Sequence, residues 1–311
     1  MKRRLQTIDE LVGNMATCIE NQAEGIGVSL QLPWQDLSES TNILRPGTVA
    51  IVGGPTKAGK SFFLLQMVLH LHNQNIQWAY LPLEDTRKEF AFRVLACLDN
   101  DYRHIGDSPD TAQYRAERLA LNDEMLKGVM LNVVENPRVG NKDRRGKTVI
   151  PPIEWQGILE WVERAAECKK VIVVDPLSQI DFNQQNQNAE ETQFIRKLLG
   201  IALDTQCCII LSAHTVKRRG RDADLPLTEG DLQGSAMLSR LSHTLILLEA
   251  HDEKASDVIF CDEPVIHNRT VYIASARNGY GTRSRIAFSQ SKQGPSFDEH
   301  GIIRPKVRLK C

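Results

Sequence analysis

Between Thr48 and Ser212 the chain keeps one rhythm. A short continuous apolar run is followed by a turn, then by a longer stretch with apolar positions three and four apart. The runs at 48–53, 77–83, 129–134, 171–174 and 208–212 read as strands. The stretches 61–73, 87–98, 113–127, 154–169 and 190–205 read as helices. Strands that are apolar on both faces and alternate with helices predict a mostly parallel sheet covered on both sides, an α/β core. After Thr244–Leu248 the rhythm changes to short runs at 257–260, 270–275 and 284–288, predicting a hairpin-rich C-terminal edge. Ahead of the core, Leu5, Ile8, Leu11, Val12, Met15 and Ile19 stand at helical spacing. That amphipathic helix can pack on its own domain or dock on a neighbouring copy. Residues 21–47 read as loop-rich, ending at the turn signal Arg45-Pro46-Gly47. The expected division is an N-terminal helix and linker at 1–29, one core at 30–290, and a tail at 291–311.

Composition narrows the class only slightly. With 311 residues, 41% of them hydrophobic and 25% charged, the chain is ordinary globular material. No apolar run approaches the ~20 residues that cross a bilayer, and no apolar segment follows the basic start Met1-Lys2-Arg3-Arg4. The seven cysteines show no metal-ligand spacing, which fits free thiols in a reducing compartment and a cytoplasmic location. A net charge of −1 means that any nucleic-acid binding must come from local patches.

The chemistry begins where the first strand ends. Gly54-Pro55-Thr56-Lys57-Ala58-Gly59-Lys60-Ser61 reads G-x-x-x-x-G-K-S between a β-branched strand and a helix. In that context the glycines let successive N–H groups and the helix N-terminus wrap a polyphosphate. Lys60 can reach the β- and γ-phosphates, and the Ser61 hydroxyl can ligate Mg²⁺. The expected ligand is a nucleoside triphosphate with its magnesium. Val171-Ile172-Val173-Val174-Asp175 delivers a carboxylate to the end of a buried strand, where it can hold the Mg²⁺ or its water shell. Glu84 ends the strand after the P-loop helix and is placed to polarise an attacking water; the alternative is an acid favoured at a helix start. His214 ends the 208–212 run, as a γ-phosphate sensor or a structural histidine. Two loops are strongly basic: Arg138–Lys147, and Lys217-Arg218-Arg219-Gly220-Arg221 just past His214. Charge runs are ordinarily solvated surface.

Taken jointly, these spacings resemble the RecA/DnaB class of P-loop ATPases, most of all the plasmid RepA-type hexameric replicative helicases. The similarity runs over roughly residues 30–290. It includes Glu154-Trp155, Arg164–Glu167, Asp204–Cys207 leading to His214 and Lys217, and Arg93 nine residues after Glu84. Asp231-Leu232-Gln233-Gly234-Ser235-Ala236 resembles the family's Leu-Arg-Gly-Ser element, and Arg277-Asn278-Gly279 its Arg-Asn-Gly. The resemblance implies ATP and Mg²⁺ as cofactors, Arg93 against the nucleotide, and a homo-oligomeric ring of six. It further implies that Arg277 completes a neighbour's site, with Arg240 in reserve, and that single-stranded or forked DNA runs through the pore. The pore loops would be Asn183–Asn188, expected to gain order on binding, and the Lys217–Arg221 run. Two positions depart from the family: Gln233 replaces its arginine and Ser275 its lysine. Nothing ahead of the core resembles a primase-binding domain, which points to DNA replication in a plasmid, phage or mobile element. A RecA-fold ATPase acting as mediator, regulator or defence factor without unwinding is the alternative.

Overall fold

The computed structural model describes residues 8–23, 27–106, 108–136, 152–216, 225–234 and 236–305. Both basic loops, at 138–147 and 217–221, lie outside the described residues. Among the described residues eight strands form one sheet in the order β2-β3-β4-β1-β5-β6-β7-β8. The first five are β1 (Thr48–Gly54), β2 (Trp78–Pro82), β3 (Val171–Asp175), β4 (Cys208–His214) and β5 (Thr244–Ser256). They pair parallel, and then β6 (Val265–Ala276), β7 (Arg285–Gln290) and β8 (Phe297–Ile302) continue antiparallel.

The helices are α1 (Ile8–Ala23), α2 (Gln35–Thr41), α3 (Lys60–Asn73), α4 (Arg87–Asp99), α5 (Ala112–Leu121), α6 (Asp123–Met130), α7 (Trp155–Ala166), α8 (Gln187–Thr205) and α9 (Ala236–Leu241). Strand side chains alternate between two cores, as a pleated sheet requires. Ala50 and Val52 of β1 join Phe63, Leu64, Met67 and Phe90 of α3 and α4 on one face. Val49 and Ile51 join Ile158, Val162, Phe194 and Leu198 of α7 and α8 on the other. Burying both faces explains the continuous apolar runs. None of the described helices is long and apolar enough to cross a membrane.

Several expectations are corrected. The run at 129–134 is no strand: α6 reaches Met130, and only Val133 bridges to Tyr80 at the edge beyond β2. The 113–127 helix is two helices, broken at Asn122, whose carboxamide is drawn to Asp99 and to the Arg118 carbonyl. Residues 257–260 form a turn at the tip of the β5–β6 hairpin, with Phe260 left-handed at φ 66° and fully exposed. The loop-rich stretch holds α2, and β8 lies inside the stretch read as a tail, so the core runs past residue 290. Asn183–Asn188 already folds into a turn and the first residues of α8, with the Asn183 side chain accepting from the Gln185 N–H. The apolar stripe Ile8, Val12, Met15 and Ile19 of α1 is exposed. Of the described cysteines, Cys207 and Cys208 are buried and Cys168 is exposed; none is bridged.

Candidate functional site: a nucleotide cleft at the C-terminal strand edge

Parallel strands β1, β3 and β4 end side by side, and each delivers one element of the site to that edge. The loop after β1 turns through Ala58 N–H to the Pro55 carbonyl, and passes Lys57 and Gly59 in left-handed conformation. Gly59 stands at the N-cap of α3 with φ 97°. A Cβ there would sit 2.8 Å from the Phe297 ring, so both the backbone angle and β8 demand glycine. The first N–H groups of α3 therefore open onto the cleft as an anion cradle.

Lys60 is 6% exposed, and its ammonium donates to the Gly54 and Pro55 carbonyls at 2.8 and 3.0 Å. Burial pushes its pKa down to about 8, against the pull of Asp175 and Glu84. The ammonium also lies 3.2 Å from His214 Nδ1. With the lysine donating, Nδ1 accepts and the ring proton belongs on Nε2, which sits 3.8 Å from Glu84 Oε1. Gln179, in the turn after β3, donates to the same Glu84 oxygen at 3.2 Å. The His214 ring first, then Gln179 and Lys60, hold the Glu84 carboxyl below its ordinary range. Glu84 is half exposed and ionised, the form that can accept a proton.

Asp175 is 6% exposed, with Oδ2 accepting from the buried Tyr80 hydroxyl at 2.7 Å. One carboxylate oxygen and the Ser61 hydroxyl thus line the cleft together with the cradle. An all-oxygen donor pair beside a phosphate site suits Mg²⁺, which takes its remaining ligands from phosphates and water. Held there by Ser61 and Asp175, that ion would supply positive charge to offset what develops on the phosphate in hydrolysis.

The cleft has a volume of about 410 Å³, and its lining includes Thr56, Lys57, Gly59, Lys60, Ser61, Glu84, Arg93, Asp175 and His214. Those nine sequence-read positions are thus brought together. Gly54, Pro55 and Ala58 form the loop's frame behind them. Arg93 does line the cleft, but Asp85 grips it in a two-pronged ion pair at 2.8 and 3.0 Å, and it lies 5.5 Å over the Phe62 ring. Asp85, Phe62, Tyr102, Arg269 and Gln290 are site residues that sequence reasoning missed. Arg269 gives Nη2 to Gln290 Oε1 at 2.8 Å, while its buried Nε has no partner among the described residues. A cation inside an apolar strand was the one signal available for it.

Arg277 is not in this cleft. Its N–H bonds the His243 carbonyl, one residue before β5, and its guanidinium reaches the Arg240 carbonyl. Both arginines are exposed at the opposite, N-terminal edge of the parallel strands, level with Val49. Five strand residues separate Val49 from Gly54, roughly 17 Å at 3.3 Å per residue. That is farther than an arginine side chain extends.

Residues 35–220 match the family model described as the AAA domain. The chain belongs to the AAA domain family. Within it, this AAA domain has the fold of RecA/DnaB-class P-loop ATPases. It is similar to a DnaB-like replicative helicase solved in a study of its interactions with primase, at 16% identity and TM-score 0.68, covering 94% of this chain and 67% of that one. It is similar to a second solved structure, a chain described as an ATPase domain, at 16% identity and TM-score 0.67, covering 94% and 99%. A KaiC-like protein, PH0186 from Pyrococcus horikoshii OT3, matches at 13% identity and TM-score 0.53, covering 88% and 98%. At such identities the likeness speaks for the fold, and the AAA domain's role rests on its own residues.

Proposed function

We propose that this P-loop ATPase is a ring-forming translocase on single-stranded DNA, a replicative helicase of the RepA type serving a plasmid, phage or mobile element. The observation that carries the reading is the separation just described. The cleft holds Lys60, Glu84 and Asp175 on one edge, while Arg277 and Arg240 are presented on the other. A second copy that docks its N-terminal strand edge against this cleft adds a cation in trans to those the cleft already holds, and repetition of that head-to-tail contact closes a ring. Six subunits, and α1 as an arm laid on the neighbour through Ile8, Val12, Met15 and Ile19, complete the proposal.

In each site Lys60 and the α3 N-terminus hold the phosphates, and Ser61 and Asp175 hold Mg²⁺. Arg93, Phe62 and Tyr102 line the same cleft. Glu84 orients water for in-line attack and accepts its proton. His214 ties Glu84 and Lys60 to β4, and the segment after β4 pairs with its own return: Thr215 bridges Leu232, and the Gln233 N–H bonds the His214 carbonyl. The described residues on either side of 217–224 thus meet beside His214. Backbone electrostatics supply the grip on DNA, so affinity falls steeply with salt.

The second reading, an ATPase that regulates or loads without unwinding, is favoured by Gln233 and Ser275. Gln233 is exposed and uncharged, and Ser275 is half-buried with its hydroxyl unpaired among the described residues, so neither offers a cation. A forked-duplex assay decides between the two. Strand displacement that needs ATP and vanishes in Lys60→Ala supports the helicase. DNA-stimulated hydrolysis without displacement selects the second reading, and a strictly monomeric protein with ATP and DNA present removes the ring.

A further inference from the structure

From the packing of α2 we infer that this short helix is the seat that fixes the reach of Arg277, and that Gly279 is a positioning residue for the trans site. The inference rests on the reading that Arg277 acts across a subunit boundary.

The turn that carries Arg277 lies directly on the backbone of α2. Gly281 N–H donates to the Ser40 carbonyl at 2.9 Å, and the Asn42 carboxamide donates to the Asn278 carbonyl at 2.8 Å. A Cβ built on Gly279 would stand 2.1 Å from the Ser40 oxygen and 2.8 Å from the Thr41 Cα. Those neighbours are backbone, so no side-chain rotation relieves the clash. The contact is backbone on backbone: the Ser40 hydroxyl is buried without a partner among the described residues and contributes no hydrogen bond to the seat.

The seat itself is fixed at its other end to the nucleotide side. Glu299 of β8 accepts from the Asp36 and Leu37 N–H groups at 2.8 and 2.9 Å, holding the first turn of α2. Trp34, one residue before the helix, stacks on Phe63 at 4.1 Å with an angle of 14°, and its Nε1 donates to the Phe297 carbonyl at 2.9 Å. Phe63 belongs to the first turn of α3, its N–H bonded to the Gly59 carbonyl. One continuous set of contacts thus runs from the P-loop helix through Trp34 and α2 to the turn bearing Arg277. A subunit's own phosphate loop and the arginine it extends to its neighbour share a single support.

A displacement on the order of 1 Å costs roughly 10²-fold in rate when it misplaces a group that acts on the transition state. Gly279→Ala in the full chain should therefore lower kcat for ATP roughly 10- to 100-fold, with affinity for a fluorescent ATP analogue within about 2-fold of wild type. Mixing Gly279→Ala with Lys60→Ala protein should restore activity above the sum of the two, because the Lys60→Ala subunits carry an intact turn. Damage confined to folding would not be rescued by a partner without a working site. Wild-type kcat in Gly279→Ala, while Arg277→Ala is slow, overturns the seat and leaves the finger reading standing. Wild-type kcat in Arg277→Ala overturns the finger reading itself. Should Gly279→Ala fail to fold, Asn42→Gly takes its place: it keeps the left-handed residue, at φ 47°, and removes the bond to Asn278. A several-fold loss of kcat rescued by mixing supports the seat; an unchanged kcat overturns it.

Discussion

Replacing Lys60 with methionine should make the nucleotide-free protein more stable while abolishing its hydrolysis of ATP. The ammonium is nearly buried, and its pKa falls from 10.5 to about 8. At pH 7 the folded state thus carries a cation that water would hold more cheaply, by roughly 3 kcal/mol. Methionine matches the length of the stem but gives up the bonds to the Gly54 and Pro55 carbonyls, about 1–2 kcal/mol together. The net gain is about 1–2 kcal/mol, a rise in Tm of roughly 2–6 °C for a chain of this size. The sign is set by linkage. Between about pH 8 and 10.5 the unfolded chain holds the lysine proton more tightly than the folded one, so wild-type stability rises with pH across that window. Lys60→Met lacks that rise, and the gap between the two proteins should close toward pH 10. Scanning calorimetry without nucleotide, at several pH values, measures it. Magnesium ATP at 100 times its Kd should then reverse the order, adding about 2.7 kcal/mol to the wild type and nothing to the mutant. A mutant that melts at or below wild type at pH 7, or a gap that stays constant with pH, refutes the reasoning.

Glu84→Gln should keep nucleotide binding and lose turnover by at least about 10²-fold, since an amide cannot take the water's proton; equal turnover would make Glu84 an ordinary helix-start acid. Replacing Val12 and Met15 together by serine should lower the oligomeric order seen by light scattering without changing the Tm of the core, because both side chains are exposed on α1. An unchanged assembly would send the search for the subunit contact elsewhere.

What the sequence revealed and what it hid follow from how each element is stabilised. The parallel core was legible because strands buried on both faces must be apolar throughout, as Ile172–Val174 and Ile209–Leu211 are. The P-loop was legible because its chemistry is local, eight residues between one strand and one helix. Strand β8 escaped notice since only one of its sides is covered, and Asp298, Glu299 and His300 mask the pattern. Helix α2 is seven residues of mostly polar sequence, held by Glu299 and Trp34, partners that no local pattern announces. Arg269, Gln290 and Tyr102 enter the cleft from three distant parts of the chain. Their meeting is a product of the sheet order and not of spacing. The opposed placement of Arg277 likewise needed the register of β5 with β6 to be seen.

Strand β5 pairs with β1 over only four residues, Thr244–Leu247, before it leaves the parallel sheet for the hairpin. Those four residues are a ruler. In the proposed ring they would set how far one subunit's phosphate site stands from the Arg277 it extends to its neighbour, and so the step between successive sites. Adding one residue there would turn every following side chain to the other face. Adding two would lengthen the step at each junction of the proposed ring, an error that would accumulate until such a ring could not close. The hairpin tip at 257–264 lies outside that ruler and is tied instead to the end of β8, through the Ile259 N–H to the Ile302 carbonyl and the Arg304 N–H to the Asp257 carbonyl, so a change of length there would leave the β1–β5 pairing untouched.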